Sequence, residues 1–164
     1  MVRDDITFRP IREDDLDGVQ AMQARSFAGL GRGANTAEEV QAHVDEIMAP
    51  RYRSELLANH LIVAEDEGGR IVGTAGWCTM ADRPTTARVR KVFVDLDRAG
   101  TGLGRRLIEA AEADALALGC RDFAVRSNIN AVPFYERLGY RTERAGTMET
   151  QSGVDLRVVF MAKG

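Results

Sequence analysis

A β-rich run that passes through a glycine-rich turn straight into a helix leaves a chain few ways to fold, and residues 92–107 have that form. Val92-Phe93-Val94 reads as the end of a strand. Gly100-Thr101-Gly102-Leu103-Gly104 follows, and Arg105-Arg106-Leu107 continues into an amphipathic stretch. A helix N-terminus leaves backbone N–H groups unpaired and carries partial positive charge. Glycine lets that backbone approach an anion closely and adopt positive φ. The combination is a cradle for phosphate. Local charge agrees: between Arg83 and Arg106, seven basic residues stand against Asp95 and Asp97, although the whole chain carries a net charge of −3. A solvated basic face, or a tight turn before a core helix, explains the same residues more plainly. Dinucleotide sites place their glycines after the first strand of a βαβ unit, whereas this loop lies two-thirds along the chain. The phosphate loop that ends in Gly-Lys-Ser/Thr is absent.

The flanking pattern indicates one domain over residues 1–164. Ile6–Pro10 alternates and stops at proline, as a first strand does. Leu16, Val19, Met22 and Phe27 give a helical stripe that the glycines at 29, 31 and 33 interrupt. Thr36 with Glu39 three positions on is a capping box, opening a helix towards Pro50. Tyr52–Ala58 continues as helix. Leu61–Ala64 and Ile71–Trp77 flank a glycine turn and form a hairpin. Val89–Val94 is the strand before the glycine loop. The helix after it runs from about Gly102, with Leu103, Leu107, Ala111, Ala115 and Leu118 on one face and Gly119 as its stop. Phe123–Val125, Asn130–Leu138 and two closing strands, from Tyr140 and from Val154, complete the chain. A meandering first half and a crossover helix in the second predict an α/β mixed sheet with helices on both faces.

Composition narrows the setting. At 45% hydrophobic and 29% charged, the chain can bury a core and does not resemble a disordered one. It has no apolar run of membrane-spanning length, and Met1-Val2-Arg3-Asp4-Asp5 turns acidic at once, unlike a signal peptide. A cytoplasmic protein with no membrane or nucleic-acid partner is expected. Cys78 and Cys120 have no disulfide or metal spacing and read as buried thiols. No metal is expected.

The glycine stretch resembles the acetyl-CoA motif of the GNAT acetyltransferases, Arg/Gln-x-x-Gly-x-Gly/Ala, with Gly102 and Gly104 at its small positions. The Arg/Gln position falls at Ala99, with Arg98 one place earlier. Asn128-Ile129-Asn130-Ala131-Val132-Pro133-Phe134-Tyr135-Glu136-Arg137-Leu138-Gly139-Tyr140 is similar to the family's later motif. The opening strand also resembles the family's, so the resemblance spans nearly the whole chain. It implies a sheet of about seven strands, splayed between strands four and five, with acetyl-CoA as co-substrate and a homodimer as one assembly relatives adopt. Cofactor contacts are implied at Val92, Phe93, Val94, Arg98, Ala99, Gly100, Thr101, Gly102, Leu103, Gly104, Arg105, Asn128 and Tyr135.

The implied chemistry is attack by a primary amine of a small molecule or peptide on the thioester in a ternary complex. A backbone N–H near Phe93 is the candidate oxyanion donor, and Tyr135 the candidate acid for the departing thiolate. The competing role for Tyr135 is core packing, and for Asn128 a loop-entry cap. The base stays open among Glu65, Asp66, His60 and a water chain. Many family members carry a glutamate where this chain has Arg88. His43 is set aside as lying on a polar helix. Arg88 and Arg90 share a strand face, suited to an acidic substrate group, to CoA phosphates, or to plain solvation. Trp77 lines an acceptor pocket or sits in the core, and Phe27 and Leu30 fall where the family forms an acceptor loop. The alternatives to catalysis are a degenerate acyl-CoA-binding sensor and an unrelated nucleotide-binding module.

Overall fold

In the computed structural model, which describes residues 5–164, five helices cover the two faces of one seven-stranded mixed sheet. The strands are β1 (Thr7–Pro10), β2 (Ile62–Glu65), β3 (Ile71–Met80), β4 (Arg83–Val94), β5 (Asp122–Asn128), β6 (Arg141–Glu149) and β7 (Asp155–Lys163). The helices are α1 (Leu16–Leu30), α2 (Ala37–Met48), α3 (Pro50–Ala58), α4 (Leu103–Ala117) and α5 (Val132–Arg137). The acidic start expected to exclude a signal peptide falls mostly on Met1–Asp4, outside the described residues. No helix among the described residues is long and apolar enough to cross a membrane.

The sheet order is β1-β2-β3-β4-β5-β7-β6. Only β4 and β5 run parallel, because α4 carries the chain across one face between them. Their pairing covers Thr86–Val89 and Asp122–Val125 and stops there, while both strands continue. Beyond Val89 the two strands part, which is the expected splay.

The divergence coincides with a bulge. Thr74 pairs with Phe93 and Gly76 with Arg90, so Lys91 and Val92 together oppose Ala75. Lys91 is the one non-glycine residue at positive φ, 57°, among the described residues. Its carbonyl accepts a hydrogen bond from Thr74 Oγ1 at 2.7 Å, and Thr74 Oγ1 accepts one from Gln23 Nε2 of α1 at 2.9 Å. Tyr52 of α3 donates to Gln23 Oε1, and Lys91 Nζ lies 4.1 Å above the Tyr52 ring. The extra residue also reverses the facing of the side chains. Ala87 and Val89 point into the α4 core before it; Val92 and Val94 do so after it, and Phe93 turns to the other face.

Two cores result. On one face Leu103, Leu107, Ile108 and Ala111 of α4 pack on Val72, Trp77, Val89 and Phe123. On the other, Leu16, Val19 and Phe27 of α1 meet Ile47, Tyr52, Leu56 and Val63. Trp77 belongs to the first core, with Nε1 donating to Asp114 at 2.8 Å, and the His60 ring stacks on it at 4.1 Å. Four sequence-based boundaries need correction. Pro50 opens α3 at a position where its missing N–H costs nothing. β4 begins at Arg83 rather than Val89. The helix expected from Asn130 is a 3-10 turn, Ile129–Ala131, followed by α5. Leu118 is 61% exposed, because α4 ends at Ala117 and helical spacing no longer applies. Cys120 is buried and Cys78 half-buried, both as free thiols.

The capping box of α2 forms as expected, and the same Glu39 carboxylate receives Arg157 of β7 at 2.7 and 3.0 Å. The Arg157 guanidinium beside it, against the cost of burial, holds its pKa down to about 2 from 4.5.

Two predictions follow from these contacts. Thr74→Val leaves the Lys91 carbonyl and the Gln23 amide buried without a partner and should cost about 1–3 kcal/mol in urea unfolding, with Thr74→Ser close to wild type. Equal stability of all three proteins would show that the bulge needs no such tie. Because the Glu39 pKa is depressed in the fold, its stabilisation is present above about pH 4.5 and fades as pH falls towards 2. Melting curves should therefore show Glu39→Gln less stable than wild type at pH 7, with a shallower loss of stability on acidification.

Candidate active site

Where β4 and β5 part, two cavities open on either side of the gap and share the wall residues Val92, Phe93, Asn128, Ala131 and Tyr135. One, of about 410 Å³, runs along the glycine loop. The other, of about 310 Å³, lies under α2 and α3. Past Val89, β4 has no strand partner on its β5 side, so backbone groups of that edge face the gap.

The glycine loop is held from its strand end. Asp95, 1% exposed, pairs with both Arg25 and Arg70, and its N–H donates to Val72 O at 2.9 Å. Ser26 Oγ donates to Val94 O at 2.7 Å. Gly100 and Gly102 take φ of 75° and 83°, which glycine alone adopts without strain. Gly104 is small for a different reason: a Cβ there would come within 3.2 Å of the Phe134 ring. Gly102 caps α4 without any side-chain bond, and the first turn contains no acidic residue, in contrast with the fully capped α2. The N–H groups of Leu103, Gly104 and Arg105 therefore have no intrahelical carbonyl.

Twelve of the thirteen expected contact residues line this loop cavity: Val92, Phe93, Val94, Arg98, Ala99, Gly100, Gly102, Leu103, Gly104, Arg105, Asn128 and Tyr135. Thr101 is the exception, its hydroxyl donating back to Arg98 O at 2.6 Å. Arg98 Nη2 stands 3.6 Å from Asp66 Oδ2. Phe27 and Leu30 form part of the same wall, and Asn130 Nδ2 donates to Leu30 O at 3.2 Å. The loop cavity thus has the donors, the backbone freedom and the room that a pyrophosphate with an extended arm requires.

Tyr135 is buried at the junction, its ring edge-on to Phe134 and Tyr140 at 5.2 and 5.6 Å. Burial raises its phenol pKa well above the ordinary value, so it stays a proton donor at neutral pH. Asn128 stands at the cap position of the 3-10 turn but makes no capping bond. Glu65 and Asp66 are spent elsewhere. Glu65 receives Arg9 at 2.7 Å at the β1–β2 edge of the sheet, and Asp66 closes its own turn through Gly68 and Arg70 N–H.

His43 overturns its dismissal. It lies in the wall of the second cavity, 4.0 Å from the Phe27 ring and 6.2 Å from that of Phe93, with Nδ1 buried and unbonded. Burial, with Lys91 and Arg126 nearby, lowers its pKa to about 4. Its spacing held the signal: it follows Glu39 and precedes Ile47 by four residues each, and both are buried. Arg126 also lines this cavity and has no motif to mark it. Among the described residues no group of three or more His, Cys, Asp or Glu could hold a metal ion.

Residues 32–161 match the family model described as an Acetyltransferase (GNAT) domain. The Bacillus subtilis (strain 168) protein YwnH, provisionally named a phosphinothricin acetyltransferase, is 28% identical over 145 residues, covering 82% of this chain and 83% of its own. A GCN5-related N-acetyltransferase from Rhodopseudomonas palustris superposes with a TM-score of 0.87 at 24% identity, covering 100% of this chain and 98% of that one. The PaiA N-acetyltransferase of Thermoplasma acidophilum, solved with coenzyme A, gives 0.76 at 15% identity over 96% and 98%.

Proposed function

The chain belongs to the GNAT acetyltransferase family, and from that premise we propose that it moves the acetyl group of acetyl-CoA onto a primary amine of a small molecule or peptide, by direct attack in a ternary complex. One observation carries the reading: two chambers meet at the open edge of β4, with the buried Tyr135 phenol at their junction.

In this mechanism the N–H groups of Gly102–Arg105 hold the pyrophosphate, and the thioester lies along Val92–Val94. The amine enters from the α2 side as the free base. His43, uncharged above about pH 4, accepts a hydrogen bond from it. Nitrogen attacks the thioester carbon while a β4 backbone N–H holds the developing oxyanion. The carbon–sulfur bond then breaks, Tyr135 protonates the thiolate, and the amine's surplus proton returns to the phenolate through water. Ala99, where relatives carry a basic or amide side chain, favours a second reading in which acyl-CoA is bound without turnover. Release of free CoA separates the two.

Calorimetry with acetyl-CoA should show binding by wild type that weakens at least about tenfold in Gly102→Asp, where a carboxylate meets the phosphate. Gly102→Asn should fall between them, separating charge from backbone strain. Equal affinity in all three would move the pyrophosphate off this loop. Tyr135→Phe should lower kcat on the order of 100-fold with acetyl-CoA affinity nearly unchanged, and an unaltered kcat would remove the phenol from the proton path.

A further inference from the structure

The chamber under α2 and α3 has an unusual floor. Arg88 pairs with Ala124 and Val89 with Val125 across the parallel strands. Alternation then sets Arg88, Arg90 and Arg126 on one face, opposite the face where Val89 and Val125 enter the α4 core. All three guanidinium groups line the chamber and are partly buried. The other cations there have partners: Arg51 pairs with Glu46, and Lys91 with Glu55 at 2.9 Å. Among the described residues Arg88, Arg90 and Arg126 have no carboxylate within ion-pair distance. Arg90 reaches only the Asn59 amide oxygen, at 3.5 Å, and the remaining acid, Glu149, is exposed at the rim. Burial and repulsion from Arg90 and Arg88 depress the Arg126 pKa, with Glu55 offsetting them only in part. Such an arrangement is costly unless an anion joins it. The same wall holds the unbonded Nδ1 of His43, a second polar group without a partner. None of the three arginines borders the glycine-loop cavity, so the cofactor's phosphates do not answer for them.

Resting on the acetyl-transfer reading, we propose that the acceptor is an anionic amine, whose carboxylate or phosphonate is held by Arg88, Arg90 and Arg126 while its amino group faces Val92 and Phe93. Guanidinium presents a planar fork that matches two oxygens of such a group. Arg90 precedes Val92 by two residues across the bulge, a separation of at most about 7 Å along the chain, so the anion and the amine are separated by only a few bonds. The acceptor class is therefore an amino acid or a short aminoalkylphosphonate, a size that a chamber of about 310 Å³ accepts.

The test uses L-amino acids and aminoalkylphosphonates, each paired with its neutral amide or ester. CoA release gives kcat/KM, and calorimetry on the protein–CoA complex gives affinity for the same compounds. The acids should be preferred at least about tenfold in affinity and in kcat/KM, the range of one charge-assisted hydrogen bond. Arg90→Gln and Arg126→Gln should bring that ratio towards one, mainly through KM. Retained acetyl-CoA binding by both variants reports an intact fold. Neutral partners that bind as well as the acids, or a preference that survives both substitutions, would overturn the proposal. Arginine-dependent binding of acids without any CoA release would instead overturn acetyl transfer and leave the anion site standing. Preference for phosphonate over carboxylate, or the reverse, identifies the oxyacid.

Discussion

The hydrogen bond from Thr74 to the Lys91 carbonyl is the contact on which the rest of the site depends. A strand bulge is a local defect that pairing tends to expel, and this one also holds a lysine at positive φ. It persists because α1 and α3 brace it: Tyr52 and Gln23 reach Thr74 in a buried chain. With the bulge in place β4 parts from β5, Phe93 changes face, and an unpaired backbone edge faces the gap. Without it β4 and β5 would continue to pair, and the two chambers would have no common wall. A kink of one residue thus converts a closed parallel pair into a cleft, at a point fixed by side chains from three separate elements.

Much of this was legible in the residues. The strand–glycine–helix stretch, the capping box at Thr36 and the stripe along α4 each express a local rule, and local rules survive folding. Gly102 and Gly104 illustrate both the success and its limit. The motif marks the two positions alike, but one is glycine for its φ and the other for the Phe134 ring against it. The chamber under α2 and α3 was mostly illegible. His43 left only its helical spacing from Glu39 and Ile47, and Arg126 comes from a strand far along the chain with no short-range pattern to announce it. The bulge left a faint trace, in the shift of apolar phase from Ala87 and Val89 to Val92 and Val94, but Phe93 between the last two conceals it.

The two chambers present positive charge by different means. Along the glycine loop the donors are main-chain N–H groups at an acid-free helix start, supplemented by Arg98 and Arg105 at the wall. Under α2 and α3 the charged donors are guanidinium groups on strand residues, beside the open edge of β4. Backbone donors are indifferent to which side chains they carry, provided the φ angles are allowed. Side-chain donors are particular to their residues. The loop half therefore tolerates changes of side chain, whereas the helix half changes its chemistry with each substitution.

That division coincides with the division of the core. The loop and α4 stand on one hydrophobic cluster, while α1, α2 and α3 stand on the other, with the sheet between them. Substitutions under α2 and α3 can alter the lining of that chamber while the packing of α4 stays as it is. Point changes there are tolerated because α4 rests on the other cluster. That freedom ends at α1, whose Arg25 and Ser26 hold Asp95 and Val94 beside the loop, and at the buried chain from Tyr52 through Gln23 and Thr74 to Lys91, since both belong to both halves.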